Sequence, residues 1–126
     1  LKTSIVNEKS YAFALRIIAV ARWLRERRED EIASQVLRSG TGIGSNVEEA
    51  LAGISRADFV VKMGIASKEA RETHYWLRLL RDSKTVPASK ITPLLNESLE
   101  LIRILTAIVK TAKGDTLDNL KLKIKN

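Results

Sequence analysis

The sequence predicts an all-α protein, an antiparallel up-and-down four-helix bundle in a single domain over residues 1–126. Apolar residues recur at steps of three and four through four separate segments, the period of helices that bury one face. The chain is 44% hydrophobic but only 5% aromatic, so a core of one-domain size must be aliphatic. Two prolines in all, and no run that alternates apolar with polar residues between turn signals, leave little room for strands.

The first helix is expected over about 5–28. Phe13, Ile17, Val20 and Leu24 make one stripe, and Tyr11, Leu15, Ile18 and Ala21 make a second beside it. Together they form an arc wider than a helix facing one core needs, so the second stripe is expected to be covered by another subunit. The following stretch, Arg22 to Glu31, mixes Trp23 and four arginines with Glu26, Glu29, Asp30 and Glu31. It reads as a solvated turn held by ion pairs worth a few tenths of a kcal/mol each, in preference to a grip on phosphate.

The second helix is expected over 31–52, with Asp30 as its N-cap and Gly53 as its C-cap. Its middle is the least generic part of the chain: Gly40, Gly42 and Gly44 alternate with Ser39, Thr41, Ile43 and Ser45. Ile32, Val36, Ile43, Val47, Ala50 and Leu51 keep a helical spacing through it, which favours a helix over a loop. Each interior glycine costs about 0.5–1 kcal/mol relative to alanine. Ser39, Gly40, Gly42, Gly44 and Asn46 are therefore read as a surface that another helix or subunit approaches closely.

The third helix, about 56–83, opens at Ser55 with Asp58 three residues on, close to a capping box. The link before it is so short that the second and third helices must be antiparallel neighbours. Phe59, Met63, Ala66, Ala70, Thr73, Leu77 and Leu80 form a heptad-like seam, and Ile65, Trp76 and Leu79 a second stripe. A loop over 83–92 leads to Thr92 and Pro93, which read as N-cap and first residue of a fourth helix over 93–113 that stops at Gly114. The basic tail, 115–126, stays open between a fifth short helix, a frayed end and an arm reaching for nucleic acid.

The run from Leu37 to Ala50, with Ser55-Arg56-Ala57-Asp58-Phe59 and the stretch from Ala66 to Leu80, resembles the four helix bundle protein family. That family includes proteins encoded in intervening sequences of 23S ribosomal RNA genes and is related to accessory proteins of diversity-generating retroelements. The likeness runs from about Tyr11 to about Lys113. It implies the bundle fold and a homopentameric barrel, and it points to RNA, ribonucleoprotein or a reverse transcriptase as partners. A ring suits the residues themselves: a small-residue face on the second helix and a doubly apolar first helix fit a head-to-tail contact between neighbours.

The formal net charge is +7, which attracts polyanions, nucleic acid above all. Lys62, Arg71, Arg78, Arg81, Lys84, Lys110 and Lys113 are the candidate binding residues, because few acids lie among them. No helix-turn-helix or RNP sequence accompanies them, so binding is expected to follow the backbone and to depend strongly on salt. Arg38, Glu49, Glu69 and Glu72, with Asn46, are read as a polar network fixing helix register, in preference to a paired-carboxylate active site.

Dimetal bundles need paired Glu-x-x-His motifs, but His74 is the sole histidine and Arg71 stands three residues before it. No metal, cofactor or catalytic residue is expected. The absence of cysteine excludes disulfides and fits a reducing, cytoplasmic setting, and no apolar run approaches a membrane span. The expected function is a non-enzymatic, basic homo-oligomer that binds structured RNA or ribonucleoprotein. The alternative is a protein-interaction scaffold that docks a partner such as a reverse transcriptase with little direct nucleic-acid contact.

Overall fold

In a computed structural model, the chain is described over residues 2–125, with side chains over 3–114. Four helices account for the described residues outside the turns: α1 (Lys2–Glu26), α2 (Asp30–Ala52), α3 (Arg56–Asp82) and α4 (Ala88–Lys125). Each packs on its neighbours in the order α1, α2, α3, α4 and back to α1, while α1 and α3, like α2 and α4, lie on diagonals. The core is aliphatic as composition required, with Ile17, Leu24, Ile43, Leu77, Ile91 and Leu105 fully buried around Phe13 and Met63.

Turn chemistry explains the ends. Glu29 N–H bonds to Leu24 C=O at 2.9 Å and Arg28 N–H to Arg25 C=O at 3.0 Å, a Schellman closure that ends α1 two residues before the expected Arg28. Arg28 occupies the left-handed position, φ 64°. The same closure ends α3: Thr85 N–H meets Leu80 C=O at 3.1 Å, Lys84 N–H meets Arg81 C=O at 3.0 Å, and Lys84 takes φ 61°. Because the bundle runs up and down, these two turns sit at one end, and both place a basic residue where glycine is usual.

Asp30 is the first helical residue of α2 and Glu29 its cap, with no side-chain bond. Gly53 does cap α2, but with extended backbone, φ −63° and ψ 149°. Ser55 caps α3 as expected, its hydroxyl accepting from Asp58 N–H at 3.1 Å.

The fourth helix departs most from expectation. It begins at Ala88, so Pro93 is an interior residue and Thr92 is no cap. Lys90 and Ile91 N–H both reach Pro87 C=O, at 3.0 and 3.1 Å, and buried Val86 and Ile91 tie this added turn to the core. Pro93 sits early enough that only one backbone bond of that first stretch is forfeited. Nor does Gly114 stop α4; the helical backbone continues through the expected tail to Lys125. Glycine weakens a helix but lacks the ring clash that breaks one.

Candidate nucleic-acid interface

The glycines of α2 are taken up inside the chain. A Cβ on Gly40 would lie 2.7 Å from Ile17 Cγ2 on α1, and one on Gly44 would meet the Ser10 backbone at 3.4 Å. Gly42 faces the other way, toward the Glu69 side chain of α3 at 3.3 Å. Ser39 is buried between these contacts, donating to Gln35 C=O at 3.0 Å and meeting Thr73 Oγ1 at 2.9 Å across the α2/α3 interface. Asn46 bonds within its own helix, Nδ2 to Gly42 C=O at 2.8 Å. Gly40, Gly42 and Gly44 thus serve helix packing within the chain, while Gly44 also lines a surface groove with Tyr11, Thr41 and Ser45.

One polar cluster forms beside it. Arg38 ion-pairs with Glu72, lies 3.6 Å from Glu69 Oε2, and bonds Gln35 Oε1 at 3.2 Å. Trp76 Nε1–H donates to the same Glu72 oxygen, Oε2, at 3.0 Å. Burial, then the Glu72 charge, pushes the Glu69 carboxyl above the ordinary glutamate value, with Arg38 pulling the other way. Two expected members are elsewhere: Glu49 pairs with Lys62 at 3.2 Å, and Asn46 bonds only within α2. Arg71, outside this network, bonds Thr106 Oγ1 at 3.1 Å. Trp76 and Gln35 joined the cluster unforeseen, because their i and i+3 or i+4 spacing to Glu72 and Arg38 matters only once α2 and α3 are side by side.

The basic residues separate onto different sides. Lys62 is nine residues from Arg71 and so points to the opposite side of α3, where Glu49 neutralises it; it is not part of a basic surface with the others. Arg81 is exposed and paired with adjacent Asp82 at 2.7 Å, and Lys84 lies in the turn. Arg71 and Arg78 share one face of α3, and the Arg71–Thr106 bond fixes that face against α4. On α4, Arg103, Lys110 and Lys113 share the face of Thr106 by helical spacing, all exposed. Arg103 was missed in sequence, although its spacing to Lys110 places it in the same row.

No acid occupies this α3/α4 face between Gly64 and Arg78 or between Asn96 and Lys113: Glu69 and Glu72 turn toward α2, and Glu97 and Glu100 pair with Arg16 and Lys9 of α1. Among the described residues, Arg103, Lys110 and Lys113 have no carboxylate partner and Arg78 forms no salt bridge, its nearest acid being Asp82 one turn on. His74 lies between the two arginines, its Nδ1 2.9 Å from Ser98 Oγ on α4. Burial lowers its pKa below the ordinary histidine value, and the Arg78 and Arg81 charges lower it further. Arg78 also reaches over the exposed Tyr75 ring, 5.7 Å from its centre. On α1, Arg27 lies 3.7 Å from the centre of the Trp23 ring and Lys90 5.7 Å from it.

Among the described residues there is no group of three His, Cys, Asp or Glu placed to hold a metal ion, and no helix is long and apolar enough to cross a membrane.

Comparison with known proteins bears on the whole bundle. A crystal structure from Bacteroides thetaiotaomicron VPI-5482, of a protein of unknown function from the S23 ribosomal protein family, is 40% identical. It covers 87% of this chain and 99% of its own, with a TM-score of 0.83. No curated protein matches. The family model for the 23S rRNA-intervening sequence protein matches residues 2–107, through α1, α2, α3 and most of the described α4 side chains. By that match the chain belongs to the 23S rRNA-intervening sequence protein family.

Proposed function

We propose that the chain is a homo-oligomeric nucleic-acid-binding module that recognises structured RNA or ribonucleoprotein through its phosphate backbone and carries out no chemical step. The observation that carries this reading is the acid-free basic face of α3 and α4, where Arg71, Arg78, Arg103, Lys110 and Lys113 line two antiparallel helices. Rows of cations with no base-reading element suit phosphates, which repeat along a strand and carry no sequence information. Tyr75 with Arg78 adds one exposed ring on which a splayed base can stack. The family's link to 23S rRNA intervening sequences supports RNA as the polyanion.

Assembly is supported by apolar side chains left outside the core, Tyr11 and Leu15 on α1 and Val61 and Ile65 on α3. Such surfaces are available to the pentameric ring that the family resemblance implies, while Gly40 and Gly42 of α2 are occupied by α1 and α3 of the same chain. The test is fluorescence anisotropy with a labelled mixed RNA pool at low and high salt. The Arg71→Gln, Arg78→Gln, Arg103→Gln variant is expected to bind more weakly at low salt with unaltered oligomer mass; equal affinity would remove this face as the site.

A further inference from the structure

Two apolar stripes lie outside the core, one on each of two diagonally opposite helices. On α1, Tyr11 is 63% and Leu15 55% exposed, and Ile18 is half-buried. On α3, Val61 is 57% exposed, and Ile65, Tyr75 and Leu79 are also open. Both stripes keep the alternating four- and three-residue steps of a coiled-coil seam: 11, 15, 18, 22 on α1 and 61, 65, 68, 72, 75, 79 on α3. Since α1 and α3 point away from each other, one chain cannot cover its own two stripes.

We infer that the α1 stripe of one copy docks, in parallel, on the α3 stripe of the next, with Tyr11 against Val61, Leu15 against Ile65, Ile18 along the Lys68 stem, and Arg22 beside Glu72. This inference rests on the homo-oligomer reading and supplies its interface. The direction is set by the fold, in which α1 and α3 run the same way, so neighbours with a common axis present them in parallel.

Charge selects the register. The Arg16–Glu97 and His74–Ser98 contacts put residue 16 of α1 level with about residue 74 of α3. A level register sets Tyr11 on Lys68 and Leu15 on Glu72, apolar against charged. Sliding one heptad one way sets Tyr11 on Tyr75 and Leu15 on Leu79 but brings Glu8 onto Glu72, two like charges. Sliding one heptad the other way puts apolar on apolar and places Arg22 at Glu72. Arg22 has no ion-pair partner among the described residues, and the Arg38 and Trp76 bonds to Glu72 both use Oε2, which leaves Oε1 to accept. The chosen register displaces neighbours by about 10 Å along the helices, seven residues at about 1.5 Å each. A ring with that displacement closes only if the bundles tilt about its axis, as strands do in a barrel.

A two-fold pairing of α3 with α3 of a second copy is also regular in spacing, but it leaves Tyr11 and Leu15 uncovered and sets Arg71 against its own copy. The α1-to-α3 contact covers Tyr11 and Leu15 of one copy and Val61 and Ile65 of the next, and it leaves Tyr75 and the Arg71/Arg78 face clear of the interface, available to RNA in every copy.

The chain has no cysteine, so introduced cysteines report the contact without background. Leu15→Cys with Ile65→Cys in one chain, mildly oxidised as the assembled protein, is expected to shift from the monomer band to a ladder of linked chains, while either single variant stays monomeric on a denaturing gel. As a second measurement, Leu15→Glu is expected to drop the light-scattering mass to that of the monomer with helicity unchanged. An intact oligomer that gives no ladder overturns this interface while sparing the homo-oligomer reading. Linked dimers from Ile65→Cys with Tyr75→Cys would establish the two-fold instead, and a native chain that is monomeric overturns both readings.

Discussion

Ile17 of α1 fills the space where a side chain at Gly40 of α2 would begin, its Cγ2 and Cγ1 lying 2.7 and 2.8 Å from the Cβ position. Ile17 is fully buried and β-branched, so it cannot swing aside without leaving its rotamer well. Gly40→Ala is therefore expected to destabilise by about 1–3 kcal/mol, the range for overpacking a core, even though alanine is the better helix former. Gly64 of α3 has no atom within 4 Å of its Cβ position, and Gly64→Ala is expected to stabilise by about 0.5–1 kcal/mol. Urea unfolding of the two variants checks the opposite signs; the same sign at both positions would refute the close-approach argument.

Arg28 and Lys84 hold left-handed backbone at the ends of α1 and α3. That conformation costs an L-residue about 1–2 kcal/mol, of which glycine's extra unfolded-state entropy returns roughly half. Arg28→Gly and Lys84→Gly are each expected to raise stability by about 0.5–1 kcal/mol in thermal or urea melts. A loss at either site would show that its side chain makes a contact worth more than the strain.

Glu69 is pushed above the ordinary carboxylate range by burial, then by Glu72, so the folded chain holds that proton more tightly than the unfolded one. The sign follows from linkage: stability is greatest below the unfolded value and declines as pH rises from there through the raised folded value. Glu69→Gln removes this decline. Its melting temperature relative to the native chain is expected to rise as pH is taken from 4 toward neutrality; a difference that stays constant with pH would count against a carboxylate strained by burial.

The two sides of α3 carry different charges in effect, although both hold lysine or arginine. Replacing Arg71, Arg78 and Arg103 with glutamine is expected to flatten the slope of log affinity against log salt by about 2, each phosphate contact contributing roughly 0.7–0.9. Lys62→Gln, which breaks only the Glu49 pair, is expected to leave RNA binding within error and to cost less than about 1 kcal/mol of stability. Equal effects on binding would mean that net charge alone drives association.

The sequence by itself determined the four helices and their up-and-down order. The periodicity of Phe13, Ile17 and Val20 or of Met63, Ala66 and Ala70 is local, and the three residues between Ala52 and Arg56 permit only an antiparallel return. The Ser55 cap was equally local and equally legible. Which element fills the glycine gap was decided by tertiary structure, since a stripe of small residues admits an internal helix as readily as a neighbouring subunit. Long-range packing likewise drew Ile91 into the core and started α4 before Pro93.

The candidate site divides the same way. Arg71 with Arg78, or Lys110 with Lys113, can be read as common faces from spacing within one helix. That Arg38 meets Glu69 and Glu72, that Lys62 is spent on Glu49, and that Arg103 joins the basic row through Thr106 depend on how α2 and α4 are rotated against α3. Those rotations follow from the burial of many aliphatic side chains at once, a sum over the whole core that no single motif encodes.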